Sequence, residues 1–297
     1  MCDPPPERPS ESDCCGSGCV PCVLDVYDAE YARWNIRQTK KSDELRRDLL
    51  SVTKYKAFKI AAFEQLSNDT RLYTFIAYPT ANGRLPIAFT QHIHIQVDKI
   101  TRPYTPIALE DNCSFKVIIK AYLNGQFTRK LFSKVVDDIV HVRGPSGGVQ
   151  FTGYDRIIMF CGGSGIAAFI GLIRTIVENE KCDTLLDLHY SSKTPNDILM
   201  RKTLSDLASY WNCKISLYLT RHTNWAERSK TFWYNETVVE GRITKTVISE
   251  LVIKHQNSLS LWLVCGKDNF NQYCMNYLES YGVNKEFIKL FDNTTNN

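Results

Sequence analysis

The stretch that decides the fold is RIIMFCGGSGIAAFIGLIRTIVEN, residues 156–179. A short apolar run is followed by three glycines within four positions and then by a longer apolar run. Residues 157–173 carry no charge and approach the length of a membrane-spanning helix. Because the glycines interrupt the middle of that run, we predict a buried strand, a turn and a helix in a soluble protein.

The same alternation of strand and helix continues towards the C-terminus. The runs TLLDLHYS, KISLYLTRH and LSLWLVCG are each followed by a helix-like run. This alternation of strands and helices predicts a doubly wound parallel sheet with ligand sites at the carboxyl ends of its strands. A Gly-rich turn before a helix lets a pyrophosphate approach backbone N–H groups. Cys265 and Gly266 end the fourth strand, which could flank one crevice together with the glycine turn. A buried core cysteine followed by a glycine turn is the alternative, and for an isolated CG pair it is the favoured one.

Residues 54–149 have a different pattern, in which short strands are separated by frequent turns. The runs YKAFKIAAFEQL, RLYTFIAY, QHIHIQV, FKVIIKAYL and IVHVRG predict an antiparallel barrel. Within TRPYTPIA, two prolines stiffen a segment that carries Arg102, Tyr104 and Thr105. Arginine suits phosphate, a tyrosine ring can lie against a flat cofactor, and a threonine hydroxyl can bond a ring nitrogen. A plain surface turn is the alternative.

Length, composition and charge limit the classes of protein to consider. The chain has 297 residues, of which 43% are hydrophobic and 23% charged, and this predicts about two folded domains. The net charge of +4 is too mild to indicate a nucleic-acid partner. The predicted divisions are a Cys- and Pro-rich segment at 1–36, a linker at 37–51, the barrel at 52–150 and the α/β domain at 151–297.

Five of the 11 cysteines lie within the first 22 residues. No secretory signal is recognised there, so we expect a reducing intracellular compartment, the cytosol or the mitochondrion, and no transmembrane segment. Cys14, Cys15, Cys19 and Cys22 do not have the spacing of a standard zinc finger or ferredoxin, and no metal site is predicted. Zinc binding, a thiol-rich interaction segment and a redox sensor at Cys14 and Cys15 stay open as alternatives.

The order and spacing of seven motifs resemble those of the ferredoxin reductase-type flavoproteins, and among them the NADH-cytochrome b5 reductases. In chain order the motifs are RPYTP, VIIKAY, GQFTRKL, RGPSGG, CGGSGIAAF, NDIL and CGKDNF. The resemblance implies an FAD-binding barrel followed by an NAD(P)H-binding α/β domain. It also implies hydride transfer from NAD(P)H to FAD and then single-electron transfer to a haem protein such as cytochrome b5. The first 36 residues resemble a small oxidoreductase-like N-terminal domain.

The resemblance implies particular roles for residues of the barrel. Arg102 would meet the FAD pyrophosphate, Tyr104 would pack on the flavin, and Thr105 would approach the flavin nitrogen that receives hydride. The other residues implied in FAD binding are Pro103, Ile119, Lys120, Tyr122, Gly125, Gln126, Phe127 and Thr128. The last four correspond to a Gly-Lys-Met-Ser loop whose lysine is missing here, and Arg129 and Lys130 are expected to supply its charge.

The resemblance assigns the dinucleotide to the second domain. The implied residues are Gly162, Gly163, Ser164, Gly165, Ile166, Thr220, Arg221, Cys265 and Gly266. Cys265 would sit by the nicotinamide, so Thr105 and Cys265 are the predicted catalytic residues. NADH users of the family carry an acidic residue where this chain has Thr220 and Arg221. NADH is preferred on the resemblance, while Lys193 and Arg221 make NADPH possible because they could attract a 2′-phosphate.

Departures from the family motifs support a second hypothesis. The positions of family prolines are taken by Ala168 and Lys267, that of a family hydroxyl by Ala167, and that of a family lysine by Gln126. The chain could therefore be a redox-inactive adaptor, or a thiol- or metal-binding interaction protein, that retains the reductase fold. The oligomeric state is not predicted.

Overall fold

The computed structural model describes residues 5–10, 22–44, 47–79, 83–222, 232–233 and 236–291. The chain divides into two compact units. The first consists of Met1–Asp48 and Asn82–Arg84, and the second of Leu49–Ala81 and Leu85–Asn297.

The first unit contains a long helix, α1 (Val23–Glu44), and a short parallel pair, β1 (Arg47–Asp48) with β4 (Gly83–Arg84). Tyr27, Tyr31 and Trp34 follow one another at helical spacing, and their neighbouring rings stack with centroids 5.8 and 5.7 Å apart. The helix runs through residue 36, where the sequence predicts a change from the N-terminal segment to a linker. Cys14, Cys15 and Cys19 lie outside the described residues.

The second unit begins with an antiparallel sheet of seven strands in the described part of the chain. Its strands are β2 (Lys56–Ser67), β3 (Thr70–Ala77), β5 (His92–Val97), β6 (Ile100–Tyr104), β7 (Ala108–Glu110), β8 (Ser114–Lys120) and β9 (Ile139–Ser146). They are ordered β6-β5-β9-β2-β3-β8-β7. Inward-facing apolar side chains, among them Phe58, Phe75 and Phe115, form its core. The predicted antiparallel first domain is confirmed.

A parallel sheet with helices on both faces follows. Its elements are β10 (Arg156–Gly162), α3 (Ala167–Val177), β11 (Leu185–Ser192), α4 (Arg201–Leu207), β12 (Cys213–Leu219), β13 (Thr237–Glu240), α5 (Lys245–Lys254), β14 (Ser260–Cys265), α6 (Asp268–Ser280) and β15 (Ile288–Leu290). All neighbouring strands are parallel, in the order β13-β12-β11-β10-β14-β15. The predicted doubly wound α/β domain is confirmed.

Strand β10 shows why this sheet forms. The five residues from Ile157 to Cys161 are all fully buried, as expected for a central strand covered on both faces. Alternate side chains pack against α3 and α4 on one face and against α5 and α6 on the other. The uncharged run is therefore core, and no described helix is both long and apolar enough to span a membrane.

The structure also differs from the sequence expectations at several elements. GQFTRKL, expected as a loop, forms a helix, α2 (Gln126–Phe132), directly after Gly125. The helix α4 covers only seven residues of the longer run NDILMRKTLSDLASYW, because its start is a separate 3-10 turn, Pro195–Asp197. The strands β13 and β15 were not expected, since runs of four and three residues at the sheet edges are too short to show a period.

Candidate functional site

The strand order of the parallel sheet creates one topological switch point. From β10 the chain continues to one side through β11, β12 and β13, and it then returns to the other side of β10 as β14. Ligands in open α/β sheets bind outside the carboxyl ends of strands at such a point. Cys161 and Cys265, near the carboxyl ends of β10 and β14, are register partners. The two strand ends that carry the glycine turn and Cys265 are therefore neighbours in the sheet.

The glycine turn after β10 is shaped for close backbone approach. Gly163–Ile166 forms a single 3-10 turn that leads directly into α3. Gly163 has a φ of +56°, and a Cβ there would meet open space. A Cβ on Gly165 would lie 2.8 Å from the carbonyl carbon and 3.3 Å from Sγ of Cys265. Ser164 is half-buried, whereas Ile166 is fully buried and belongs to the core.

The second turn is packed by an aromatic ring that the sequence reasoning did not assign. Cys265 and Gly266 are half-buried, and a Cβ on Gly266 would lie 2.6 Å from Cδ1 of Phe270. The same ring is 4.0 Å from the Cβ position of Gly162, so Phe270 lies beneath both turns. Phe270 stands where the family motif has methionine, and an apolar side chain at that place was the available signal. Burial raises the pKa of the neighbouring Cys161 thiol well above its usual value, which keeps it protonated.

One contact connects the second turn with the first domain. The Lys267 ammonium lies over the Tyr122 ring, 5.5 Å from its centroid. Tyr122 follows β8 in the VIIKAY motif, and Lys267 follows Cys265 and Gly266. The structure thus brings the CGKDNF and VIIKAY motifs together through the residue that replaces a family proline.

The RPYT motif of the first domain lies on β6 and just beyond it. Tyr104 is half-buried, and its ring centroid is 5.6 Å from that of Phe127 in α2. Burial raises the pKa of Tyr104, so the phenol stays protonated. Arg102 is exposed and donates from Nη1 to the Thr101 carbonyl oxygen at 2.7 Å, while Pro103 and Thr105 are half-buried.

The predicted phosphate-gripping loop is a turn into a helix rather than an open loop. The Gly125 N–H donates to the Tyr122 carbonyl oxygen at 2.9 Å. The Thr128 hydroxyl donates to the Gly125 carbonyl oxygen at 3.1 Å, and a Cβ on Gly125 would lie 2.5 Å from that hydroxyl oxygen. Phe127 and Thr128 are buried and Gln126 is exposed. The Thr128 hydroxyl therefore occupies the space that a side chain at position 125 would need.

The residues Ile119 and Lys120 at the end of β8 have different surroundings. The Ile119 side chain is fully buried in the core of the first sheet. The Lys120 ammonium donates to Asp69 Oδ1 at 2.5 Å, across the β3–β8 pair. Burial alone would raise the pKa of Asp69, but the hydrogen bonds from Lys120 and Thr70 outweigh it and lower that pKa. Sequence reasoning missed Asp69 because it lies 51 residues from its partner in the chain.

The ends of β11 and β12 bring two basic residues together. The Arg221 N–H donates to the Lys193 carbonyl oxygen at 2.8 Å, and the Thr220 N–H donates to that of Ser192 at 3.0 Å. Both the Lys193 and the Arg221 side chains are exposed. Lys193 and Arg221 are neighbours because β11 and β12 are adjacent in the sheet. Together they place two positive charges at the carboxyl edge of the sheet.

The residues present fit an FAD and a nicotinamide dinucleotide. Open space above Gly163 at a strand end suits a phosphate group, and the exposed guanidinium of Arg102 beside half-buried Tyr104 suits a phosphate-bearing flat cofactor. Within the described ranges, no group of three or more His, Cys, Asp or Glu side chains is arranged to hold a metal ion.

Comparison with known families and proteins agrees with this arrangement. Models described as an oxidoreductase FAD-binding domain, an oxidoreductase NAD-binding domain and an oxidoreductase-like N-terminal protein match residues 57–151, 159–275 and 1–43. These matches cover the two domains and the segment before them.

Individual relatives extend the match to nearly the whole chain. The human protein called NADH-cytochrome b5 reductase-like is 30% identical over 96% of this chain and 94% of its own length. NADH-cytochrome b5 reductase 1 of Laccaria bicolor is 31% identical over 71% of this chain and 68% of its own. The cytochrome b5 reductase domain of Ulva prolifera nitrate reductase shares the fold, with a TM-score of 0.67, 23% identity, and coverage of 82% of this chain and 100% of that one. The chain therefore belongs to the NADH-cytochrome b5 reductase-like proteins, which are flavoprotein oxidoreductases of the ferredoxin reductase type with FAD- and NAD-binding domains.

Proposed function

We propose that this enzyme oxidises NAD(P)H, with NADH preferred, and passes the electrons singly to a haem protein such as cytochrome b5. The observation that carries the proposal is the adjacency of the glycine turn and Cys265 at the switch point, with Tyr122 of the first domain in contact with Lys267 beside them. FAD, when bound, supplies the chemistry that accepts a hydride and releases electrons one at a time.

In this proposal the first domain holds the flavin cofactor. Arg102 binds its pyrophosphate, because an exposed guanidinium on β6 can make paired hydrogen bonds to phosphate. Tyr104, backed by Phe127, gives the flavin ring a rigid neighbour, and Thr105 offers a hydroxyl donor next to it. The remaining first-domain contacts are proposed for Pro103, Ile119, Lys120, Tyr122, Gly125, Gln126, Phe127 and Thr128. For Ile119, whose side chain is in the core, only the backbone is available.

The second domain is proposed to bind and orient the dinucleotide. The backbone of Gly162–Ile166 receives its pyrophosphate at the start of α3, where the N–H groups of a helix N-terminus and its dipole favour an anion. Cys265 and Gly266 border the position of the nicotinamide, and the packing of Phe270 beneath them keeps that border fixed. Orientation and the exclusion of water are the protein's contribution to the transfer rate.

The preference for NADH rests on the relatives, whose names specify NADH. Lys193 and Arg221 carry positive charge near the expected adenosine end, so we propose that NADPH is also accepted. The haem-protein acceptor rests on the same names, which specify cytochrome b5.

The experiment that tests this proposal is stopped-flow absorbance of the FAD-loaded full-length protein mixed with NADH or NADPH. We expect the flavin absorbance to bleach with both donors and faster with NADH, and oxidised cytochrome b5 added afterwards to be reduced. A flavin-loaded protein that stays oxidised with both donors would instead support the redox-inactive adaptor. Bleaching without reduction of cytochrome b5 would refute the acceptor alone.

A further inference from the structure

The helix α3 contains a glycine in its interior, where glycine is less stable than alanine. Gly171 is buried, and its carbonyl oxygen accepts from the Thr175 hydroxyl at 2.8 Å. A Cβ at this position would lie 2.9 Å from Cγ and 3.0 Å from Cβ of Phe89, and it would overlap the ring at Cδ1. The Phe89 ring therefore occupies the space that an alanine methyl group would need.

Phe89 is held in place by the segment around it. The N–H of Ala88 donates to Gln91 Oε1 at 2.9 Å, and Gln91 Nε2 donates to the Gly147 carbonyl oxygen at 3.3 Å. The buried Thr90 hydroxyl accepts from the Val149 N–H at 3.2 Å. Gly147 and Val149 lie between β9 and β10, where the chain passes from the first sheet to the second. The segment that carries Phe89 is thus bonded to the connection between the two domains.

Each partner of this contact leads directly to one cofactor motif. Phe89 precedes β5, and β5 pairs with β6, which carries Arg102 and Tyr104. Gly171 lies four residues after Ala167, the first residue of α3, so it is roughly 6 Å along the helix from the end of the glycine turn. The first connection passes through the turn at residues 89 and 90 before it reaches β5, and the second runs along α3. Close-packed protein interiors transmit a displacement along such connections.

We propose that Phe89 and Gly171 form a positioning pair that sets the spacing between the RPYT segment of the first domain and the glycine turn of the second. This inference rests on the hydride transfer proposed above, whose rate depends steeply on the relative placement of the two cofactors. The Phe89 ring sets the distance between its segment and α3. Glycine at position 171 allows the ring to pack directly against the backbone of α3, because it has no side chain there.

The test uses Gly171→Ala, Phe89→Ala and the double variant in the full-length, FAD-loaded protein. Each variant is measured by thermal unfolding, by dinucleotide affinity and by the rate of flavin reduction with NADH. We expect Gly171→Ala to slow reduction about tenfold or more, while FAD content and dinucleotide Kd stay within about twofold. The double variant should recover most of the unfolding midpoint lost in Gly171→Ala and part of the rate, because the ring no longer overlaps the new methyl group. Trp211→Ala, at a 74% exposed position just before the amino end of β12, is the control for loss of an aromatic side chain.

The possible outcomes separate this inference from the proposed function. Wild-type flavin that neither dinucleotide reduces would refute the proposed function. Wild-type reduction with an equal rate in Gly171→Ala would overturn the positioning pair alone. Gly171→Ala could fail to fold or to hold FAD, and in that case we expect the double variant to fold and to bind FAD. A double variant that also fails to fold or to bind FAD would overturn the inference. A change in unfolding midpoint with an unchanged reduction rate would mean that the contact is only structural.

Discussion

Gly165 and Cys265 are in direct backbone contact, because a Cβ on Gly165 would lie 2.8 Å from the carbonyl carbon of Cys265. The contact joins the end of β14 to the turn after β10, and these are the two strand ends on either side of the switch point. The glycine turn is therefore shaped on one side by its neighbouring strand and open on the other, where Gly163 faces free space. A ligand that binds this turn must lie beside Cys265.

Gly165→Ala is expected to weaken dinucleotide binding. The added methyl group must push the turn away from Cys265, which moves the backbone N–H groups that face the ligand, and overpacking of this kind destabilises by about 1–3 kcal/mol. Titration with NAD⁺ or NADH measures the affinity, and denaturant unfolding measures the stability. Gly282→Ala is the control, because it adds a methyl group in open space at a φ of +90° far from the turn. We expect both variants to lose stability and only Gly165→Ala to lose affinity for the dinucleotide. Equal dinucleotide affinities in the two variants would contradict this prediction.

Removing the basic pair at the ends of β11 and β12 is expected to select against NADPH. Lys193→Ala and Arg221→Ala each delete a charge that can bond a 2′-phosphate, and a hydrogen bond to a charged group contributes about 1.5–3 kcal/mol. The dissociation constant for NADPH should rise about tenfold or more in each variant, while that for NADH changes by about twofold or less. Lys202→Ala, with a lysine that is 83% exposed on α4, is the matched control. Equal losses for NADH and NADPH would show that neither side chain reads the 2′-phosphate.

The sequence allowed the two-domain fold to be predicted because its signals are local. Five buried residues in a row and the glycines after them mark β10 and its turn, and alternation of strands and helices marks the parallel sheet. The edge strands β13 and β15 were not predicted, because pairing with the neighbouring strand stabilises them and their own sequences show no strand pattern. The helix α2 was not predicted, because the resemblance to a phosphate-binding loop does not specify the backbone conformation.

The site was predictable at the level of motifs but not of contacts. Adjacent strand ends follow from topology, so the meeting of Cys161 and Cys265 could be anticipated. Contacts such as Phe89 with Gly171 and Asp69 with Lys120 join residues far apart in the chain, and no sequence period reports them. The positions where family prolines are missing read as losses in the sequence, yet in the structure Lys267 makes a contact of its own.

Asp69→Asn is expected to loosen Lys120 and to reduce stability by about 1 kcal/mol, a small effect because the pair is partly exposed to solvent. The pKa of Asp69 is lowered in the folded protein, so its ionised form stabilises the fold fully above the usual aspartate pKa of 3.8, and this stabilisation is lost as the pH falls from there through the lowered pKa. Unfolding in denaturant at pH 7 and pH 3 checks both statements. The difference between the wild type and Asp69→Asn should be larger at pH 7 than at pH 3.

Asp137→Asn is the matched control for this pair. Asp137 bonds Lys59 at 2.7 Å, but its side chain is 75% exposed, and surface pairs of this kind contribute little. If Lys120 also serves FAD, only Asp69→Asn should release the flavin more readily, measured by FAD fluorescence on dilution. Equal flavin retention in both variants would restrict Asp69 to a structural role.

Two buried histidines are expected to make the fold less stable in mild acid. Burial, together with the charges of His92 and Arg143, lowers the pKa of His94 to about 4, and burial lowers that of His189 to about 4 as well. The unfolded chain takes up protons near pH 6.5 whereas the folded chain does so only near pH 4. The unfolding free energy should therefore fall as the pH drops through that window, by roughly 1–3 kcal/mol per histidine.

The slope of unfolding free energy against pH between 7 and 4 measures this effect. His189→Gln should make the slope shallower by the contribution of one histidine. It also removes the hydrogen bond to the Tyr218 hydroxyl, but that loss changes the stability at pH 7 and not the slope. His141→Gln, at an exposed position on β9, is the matched control substitution. Parallel slopes for the wild type and His189→Gln would show that the pKa of His189 is not lowered by folding, which would contradict the prediction.

The contact between Lys267 and Tyr122 is expected to stabilise the approach of the second turn to the first domain. An ammonium 5.5 Å from an exposed ring contributes about 0.5–1 kcal/mol, and because it joins two domains its loss should increase their relative motion. A double-mutant cycle with Lys267→Met and Tyr122→Leu isolates the pair, since methionine keeps the length of the lysine stem and leucine keeps apolar volume without a ring. We expect a coupling of that size in the unfolding free energy, and flavin reduction slowed less in Lys267→Met than in Tyr122→Leu, because Tyr122 is also a proposed FAD contact. Additive effects in the cycle would mean that the two side chains act independently, and reduction rates that multiply would assign each of them a separate role at the cofactors.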